Sequence, residues 1–242
     1  MLRALSYAYW AFIAVTCPFW YAAAAVVWAV TRPFDRRRVV LHMFCSLWAT
    51  NYLWLNPIWS VRTTGRERIP WRGGVVIVAN HASLIDILVL YCLYRPFKWV
   101  SKAENFKIPF VGWGMVLNDY VPLVRGDRDS VVRMMAECDR HLAMGSPVLF
   151  FPEGTRSRDG GLGAFKDGAF ELAVRHGVPV VPVALHGTGR ALPKHGMVLE
   201  AHVDAHVEIL EPLDPAAHAG AAQLRDATRE RIASALRARA RA

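Results

Sequence analysis

The chain has 242 residues, a net charge of +9 and a hydrophobic fraction of 54%, with a mean hydropathy of +0.20. This length allows one sizeable α/β core and leaves little room for a second domain. The positive charge favours an anionic partner such as a membrane, a phosphorylated substrate or a nucleic acid. The four cysteines are widely spaced and form no CxxC pair, so the sequence predicts neither a zinc site nor a disulfide framework.

The apolar residues are concentrated near the start of the chain. One apolar run extends from Leu5 to Val30 and is followed by the basic turn 32–38, so a cleaved signal peptide is a poor fit. This run is long enough to cross a bilayer with some tilt. A second run, from Val39 to Ser60, is rich in Trp and Tyr, which favour the membrane–water interface.

These two runs predict a membrane-associated two-helix segment over residues 1–60, followed by an α/β domain over 61–242. Two full spans would place the basic turn outside if the domain is cytoplasmic, against the positive-inside tendency. A helical hairpin in the cytoplasmic leaflet avoids this conflict, as does one span followed by an interfacial helix. A pair of ordinary buried core helices is the third possibility, and the crowding of Trp and Tyr disfavours it.

Beyond the apolar runs, short apolar strands alternate with helices, which predicts a mostly parallel twisted sheet flanked by helices. The predicted strands are 74–79, 97–101, 119–124, 147–151, 178–185 and 197–210, and the predicted helices are 83–94, 130–144 and 164–176. Ser130 is the expected N-cap of the second helix, and Gly145 and Gly177 are expected to end the second and third. The Ala- and Arg-rich tail from residue 214 to 242 predicts a final basic helix with Pro215 in its first turn.

A histidine and an aspartate lie five positions apart where the first predicted strand turns into a helix. The segment reads Asn80-His81-Ala82-Ser83-Leu84-Ile85-Asp86. Helical side chains tilt toward the N-terminus of the helix, so Asp86 can point back at His81. An imidazole oriented by a carboxylate is the base half of a Ser-His-Asp triad, and a substrate hydroxyl could take the place of the serine. Ser83 and Asp86 also resemble a capping box, in which Asp86 would serve the helix start alone.

A polar turn follows the predicted strand 147–151. It reads Pro152-Glu153-Gly154-Thr155-Arg156-Ser157. A turn at the carboxyl end of a strand suits anion binding, because Gly154 lets the backbone approach closely and Thr155 can donate a hydrogen bond. Arg156 offers a planar guanidinium to a phosphate.

In this order, the two motifs resemble those of the glycerolipid acyltransferase family, and most closely its bacterial 1-acyl-sn-glycerol-3-phosphate acyltransferase branch. Two further blocks of the family pattern are present: Lys102, Pro109, Gly112 and Arg125 in one, and Val178-Pro179-Val180-Val181-Pro182-Val183 in the other. Together the four blocks cover residues 80–185. The chain departs from the pattern mainly in the second block, where Asn105 replaces a usual leucine and Val124 a common acidic residue.

The resemblance implies transfer of a fatty acyl group from a thioester, acyl-CoA or acyl-carrier protein, to the sn-2 hydroxyl of 1-acyl-glycerol-3-phosphate, giving phosphatidic acid for phospholipid biosynthesis. His81 would be the general base, oriented by Asp86, and Lys102 is a candidate for stabilising the oxyanion. The residues implied for holding the phosphate of the acceptor are Arg125, Glu153, Gly154, Thr155 and Arg156. A carboxylate does not itself favour phosphate, so we expect Glu153 to orient an arginine or the turn.

The resemblance implies no metal or redox cofactor, no nucleic-acid partner, and a location at the cytoplasmic face of a bacterial inner membrane. The nearest alternative is an acyltransferase for another lysolipid, such as lyso-ornithine lipid or a lysophospholipid. A serine hydrolase or thioesterase is a different class, but the sequence has no Gly-x-Ser-x-Gly elbow. A basic nucleic-acid-binding protein is disfavoured by the apolar start of the chain.

Three further polar residues alternate near the end of the chain. His202, Asp204 and His206 would share one face of a strand, as metal ligands might. A solvated strand face shows the same alternation and is the favoured interpretation. His186 follows the preceding strand and could line a cleft, but the sequence assigns it no role.

Overall fold

The computed structural model describes residues 2–56, 59–157, 161–192, 198–200 and 202–240. Seven strands form one sheet: β1 (Trp59–Thr64), β2 (Val76–Ala79), β3 (Lys98–Lys102), β4 (Val121–Leu123), β5 (Val148–Phe150), β6 (Val180–His186) and β7 (Val203–Ile209). Their order is β1-β7-β6-β2-β5-β3-β4. All neighbouring pairs are parallel except β6 and β7. The predicted mostly parallel sheet is confirmed.

Helices cover both faces of this sheet. They are α1 (Leu2–Thr31), α2 (Val39–Trp54), α3 (Ile85–Tyr91), α4 (Val111–Leu117), α5 (Arg128–Ala143), α6 (Gly168–His176) and α7 (Ala221–Ala240). Alternate residues of a strand point to opposite faces, so Ile77 packs in the core shared with α1–α4 and Val76 in the core shared with α5–α7. The central strand β2 is completely buried, as expected for a parallel strand covered on both sides.

Helix α1 leaves most of its apolar surface exposed. Its exposed large side chains include Leu5, Phe12, Val15, Phe19, Val26 and Val30. Among the described residues it is the one helix long and apolar enough to cross a membrane. Its inner face packs on α2 and α4, where the rings of Tyr21 and Trp113 lie 5.5 Å apart.

Helix α2 differs from the expectation of a membrane-interface helix, because it is a core element that packs between α1 and α3. Leu41, Cys45 and Leu53 are among its buried residues. Aromatic side chains with polar tips can be buried when those tips find partners, and here the Trp48 indole donates to the Tyr52 hydroxyl at 3.1 Å. The aromatic crowding that favoured an interface is therefore satisfied inside the protein, and the expected boundary at residue 60 falls within β1.

The helix termini correct one capping assignment and support two others. Ser130 is not the N-cap of α5: the Asp127 side chain accepts from the Asp129 amide at 3.0 Å, and the Ser130 hydroxyl accepts from the Val124 amide. The glycines expected to end α5 and α6 do have positive φ, 73° at Gly145 and 59° at Gly177, a conformation that glycine adopts without strain.

Several element boundaries also differ from the sequence prediction. Strand β1 and helix α4 were not predicted, α6 begins at Gly168, and β7 begins at Val203. Residues 197 and 201 of the last predicted strand lie outside the described residues. Pro215 lies in a separate 3-10 turn, Pro215–Ala217, rather than in the first turn of the final helix.

Candidate active site

The candidate residues meet at the carboxyl edge of the sheet. His81 follows β2, the turn 152–157 follows β5, Lys102 ends β3, and Arg125 follows β4. Because these strands are parallel, their carboxyl ends lie at one edge, where α/β proteins bind ligands. A cavity of about 530 Å³ at this edge is lined by six of the eight residues named from the sequence: His81, Lys102, Arg125, Gly154, Thr155 and Arg156. The other two, Asp86 and Glu153, are not among its lining residues.

His81 and Asp86 form a hydrogen-bonded pair, with 2.8 Å between His81 Nδ1 and Asp86 Oδ2. Asp86 is fully buried, and its Oδ2 also accepts from the amides of Ala82 at 2.7 Å and Ser83 at 2.8 Å. The carboxylate therefore orients the imidazole and also makes the Ser83 amide contact of a capping box, although the N-cap residue of α3 is Leu84 and has no side-chain cap. Since the carboxylate accepts the Nδ1 proton, Nε2 carries the lone pair of the neutral ring.

The imidazole is also held through its face. The ring of Phe151 stacks on that of His81, with 4.1 Å between centroids and 20° between planes. The His81 side chain is 13% exposed, so it is enclosed on most sides and yet lines the cavity. A general base needs this combination, because it must reach the substrate in one fixed orientation.

Glu153 joins the two motifs rather than facing the cavity. Its Oε1 accepts from the backbone amide of His81 and its Oε2 from that of Gly163, both at 2.9 Å. The other backbone polar group of His81, its carbonyl, accepts from the Ser157 amide at 2.8 Å. Of the two expectations for Glu153, orientation of the turn is the one that its described contacts support.

Asn80 belongs to the histidine motif, and its role follows from the structure rather than from the sequence. Its amide nitrogen donates to the Leu185 carbonyl at 3.1 Å, and its amide oxygen accepts from the Leu185 amide at 2.7 Å. This pair of bonds ties the end of β2 to the end of β6. The segment that carries His81 is therefore fixed at the point where it leaves the sheet.

The cavity combines cations with an apolar wall. Lys102 forms an exposed ion pair with Glu104 at 3.2 Å, whereas Arg125 has no ion-pair partner among the described residues. The wall is formed by side chains of α3 and α5, among them Leu84, Ile87, Val131, Met134 and Met135. Such a cavity can accept a molecule with an anionic end and an aliphatic part.

A lining residue that the sequence analysis did not single out is Lys166, two residues before α6. Its backbone amide donates to the Pro152 carbonyl at 3.0 Å. Its signal in the sequence is weak, because a single lysine between Phe165 and Asp167 belongs to neither the histidine motif nor the 152–157 turn.

A second histidine–carboxylate pair lies elsewhere. His186 Nε2 is 3.0 Å from Glu208 Oε2, and the His186 ring stacks on His206 at 5.4 Å. His206 in turn contacts Arg239 through Nδ1 at 3.0 Å and Thr64 through Nε2 at 2.8 Å. His186 does not line the cavity that contains His81, so the cleft suggested for it is not observed. The solvated face expected for His202, Asp204 and His206 is observed at His202 and Asp204, which are exposed, but not at His206, which is buried.

The second pair has the spacing but not the surroundings of a metal site. The ligand atoms of His186, His206 and Glu208 lie within 4.8 Å of one another. However, the guanidinium of Arg239 donates to one nitrogen of His206, which leaves the other nitrogen protonated in the neutral ring. Burial lowers the pKa of both His186 and His206. We therefore interpret this cluster as a hydrogen-bonded contact between the sheet and α7.

Comparison with known proteins identifies relatives over most of the chain. A model of the acyltransferase family matches residues 60–186. A 1-acyl-sn-glycerol-3-phosphate acyltransferase of Chlamydomonas reinhardtii is 40% identical over 97% of this chain and 70% of its own length. The enzyme of the same name from Pseudomonas aeruginosa is 34% identical over 72% of this chain and 70% of its own. The crystal structure of PlsC, the 1-acyl-sn-glycerophosphate acyltransferase of Thermotoga maritima, superimposes with a TM-score of 0.78 and 27% identity, covering 97% of this chain and 95% of that one.

Proposed function

The chain belongs to the acyltransferase family, and from that premise we propose that it acylates the free sn-2 hydroxyl of 1-acyl-glycerol-3-phosphate with an acyl thioester, giving phosphatidic acid. The observation that carries the proposal is the position of His81: a carboxylate-oriented imidazole lines a cavity that also contains the cationic turn 153–156. The names of the relatives supply the acceptor. The thioester donor is inferred from the family resemblance, and the chemical steps are inferred from the geometry of the site.

In the proposed reaction His81 Nε2 removes the proton of the acceptor hydroxyl as the oxygen attacks the thioester carbonyl. Asp86 stabilises the imidazolium that forms and keeps Nδ1 protonated. When the tetrahedral intermediate collapses, the carbon–sulfur bond breaks and His81 returns the proton to the thiolate. The substrate hydroxyl is the nucleophile, so no acyl-enzyme forms. The reaction requires no metal or redox cofactor, and acyl-CoA or acyl-carrier protein is the co-substrate.

Charge in the cavity has two proposed uses. Arg125, Thr155 and Arg156 bind the phosphate of the acceptor, with Gly154 allowing the backbone amides to approach it. Lys102, at the end of β3, stabilises the oxyanion of the intermediate. Glu153 acts indirectly, since its two hydrogen bonds hold the turn against the backbone of His81.

The exposed apolar surface of α1 supports membrane association. We propose that this surface inserts into the lipid, at the cytoplasmic face of the inner membrane in a bacterium, so that the acceptor reaches the cavity without leaving the bilayer. The N-terminal end of α1 lies near the carboxyl edge of the sheet, because the Ser6 hydroxyl accepts from the amide of Leu199, close to the start of β7. The lipid-facing helix and the cavity are therefore close to the same edge.

A different lysolipid is the second candidate acceptor, and one residue favours it. Asn105 lines the cavity where the family pattern has leucine, and its side chain donates to the Ser101 hydroxyl at 3.0 Å. A polar group at this position offers hydrogen bonds that a leucine would not. An acceptor with a different head group could use them.

The deciding experiment is an acyl-transfer assay on membranes that contain the full chain. Lysophosphatidate, lyso-ornithine lipid and lysophosphatidylcholine are each offered with acyl-CoA and acyl-carrier protein donors of several chain lengths. Phosphatidate formation that disappears in His81→Ala membranes with equal protein content is the expected result. Faster acylation of a lysolipid without a phosphomonoester would favour the second candidate, and unchanged activity of His81→Ala would disprove the mechanism.

A further inference from the structure

Lys166 lies across the anion-binding turn. An ideal Cβ built on Gly154 would lie 3.0 Å from both Cε and Nζ of Lys166. Gly154 has a φ of +70°, a conformation that favours glycine in any case. The side chain of Lys166 therefore occupies the space beside the turn that any larger residue at position 154 would need.

The backbone that carries Lys166 is fixed from several directions. Its own amide donates to the Pro152 carbonyl, and the preceding Phe165 is buried in the core. Three residues earlier, Gly163 donates to Glu153 and accepts from Arg229 of α7 at 2.9 Å. A lysine on so constrained a segment loses less conformational entropy when it binds a ligand than one on a free loop.

The ammonium group of Lys166 has no hydrogen-bond or ion-pair partner among the described residues, although carboxylates lie near it in the sequence. Asp167 is paired with Arg225 at 2.6 Å, on the side of α7. Glu171 is the one acidic residue among those that line the cavity, and it forms no ion pair with Lys166. An unpaired cation beside a glycine turn, in a cavity shared with Arg125 and Arg156, favours an anionic ligand.

We infer that Lys166 binds a phosphate group of the substrate, and specifically the phosphomonoester of the lysolipid acceptor. This inference rests on the proposed function and adds to it a phosphate ligand from outside the two sequence motifs. A phosphate could also come from the thioester donor if that donor is acyl-CoA. The acceptor is favoured because Lys166 lies against the turn that the proposed reaction assigns to the acceptor.

The test compares Lys166→Met, which keeps the apolar stem and removes the charge, with Lys166→Arg, which keeps the charge. Lys107→Met is the matched control, because Lys107 is exposed and does not line the cavity. The full chain is assayed in mixed micelles with lysophosphatidate and acyl-CoA. Removing a charge-assisted contact to phosphate should raise the acceptor KM about 10- to 100-fold, with kcat and the donor KM within about threefold of the wild type.

Two further measurements separate phosphate binding from a structural role. Inorganic phosphate should inhibit the wild type in competition with the acceptor and inhibit Lys166→Met at least about tenfold less effectively. Lys166→Arg should recover most of the acceptor KM, and the Tm of every variant should stay near that of the wild type. An unchanged acceptor KM, a rise in the donor KM alone, or loss of fold in both Lys166→Met and Lys166→Gln would each overturn the inference.

The role of Lys166 in binding phosphate can still be tested if lysophosphatidate is not the acceptor. In that case the wild type fails to acylate lysophosphatidate, and the inference is tested by binding of inorganic phosphate to the wild type and to Lys166→Met. Weaker binding by Lys166→Met supports the phosphate site independently of the acceptor. Equal binding overturns it.

Discussion

Two histidine–carboxylate pairs lie at the carboxyl ends of neighbouring strands, and one of them has the surroundings of a catalytic base. His81–Asp86 follows β2 with a distance of 2.8 Å, and His186–Glu208 involves the end of β6 with a distance of 3.0 Å. The Asp86 side chain is completely buried, whereas that of Glu208 is 34% exposed. His81 faces a cavity, whereas His186 faces His206.

A hydrogen bond to a carboxylate is not by itself enough to make an imidazole a general base. The carboxylate must be held by other groups, as Asp86 is by two backbone amides, so that it fixes the ring in one orientation. The second ring nitrogen must also reach a space that a substrate can enter. His186 does not line the cavity that contains His81, and its pair joins the sheet to α7 through His206 and Arg239.

The largest predicted difference in kcat between the two pairs comes from replacing the histidine of each pair. His81→Gln should lower kcat by about 10³-fold, since a positioned general base contributes about 10²–10⁴. His186→Gln should leave kcat within about threefold of the wild type. Both variants are assayed as folded, membrane-bound protein. Equal losses of kcat in the two would show that His81 is not distinguished from His186 as the general base.

The next largest difference in kcat between the two pairs should come from replacing each carboxylate with an amide. Asp86→Asn should lower kcat about 10²-fold, because the two backbone amides keep an oxygen facing Nδ1, and this neutral amide oxygen stabilises the imidazolium much less than a carboxylate does. Glu208→Gln, the matched change in the second pair, should alter kcat by less than about threefold. Full activity of Asp86→Asn would leave Asp86 with its capping role alone, and a thermal melt of each variant controls for loss of fold.

A smaller effect on kcat is expected from changing Glu153, whose carboxylate accepts from the backbone amide of His81. Glu153→Gln is neutral and keeps one acceptor oxygen, so both amides lose a charged partner and either the His81 or the Gly163 amide loses its acceptor altogether. Such a bond contributes about 1.5–3 kcal/mol, so kcat should fall about 10- to 100-fold if the loss is expressed in the transition state. Glu137→Gln on the exposed surface of α5 is the control. An unchanged kcat would show that the position of His81 does not depend on Glu153.

The smallest predicted effect is on stability and concerns the second pair. Because burial lowers the pKa of His186 below its usual 6.5, the folded state binds this proton less readily than the unfolded state. The corresponding stability is complete above about pH 6.5 and is lost as the pH falls. His186→Gln should therefore flatten the acid side of a plot of Tm against pH. A curve that stays parallel to the wild type would contradict the assignment.

Acid sensitivity should persist in that variant because other histidines behave similarly. Burial lowers the pKa of His42 to about 3 and that of His141 to about 4. Both are expected to lower the Tm further between about pH 6.5 and pH 4.

The sequence predicted the features that depend on short stretches of chain. Hydrophobic runs located five of the seven strands to within a few residues, and the spacing of His81 and Asp86 placed the pair where β2 leads into α3. It could not predict partners that are distant in sequence. The Glu153 carboxylate meets an amide 72 residues away, and β1 pairs with β7 across the whole domain. The burial of α2 was likewise missed, because its apolar residues are those of a membrane segment and its packing partners lie elsewhere in the chain.

The oxygen that Asp86 presents to His81 also accepts from the backbone amides of Ala82 and Ser83, which come just before α3. Helix α3 has seven residues, and a helix this short has little stability of its own. Unwinding of its first turn would separate the imidazole from its carboxylate while the seven-stranded sheet stayed intact. Assembly of the proposed catalytic pair is therefore a local folding event, and we expect opening of one helical turn to abolish activity without unfolding of the protein.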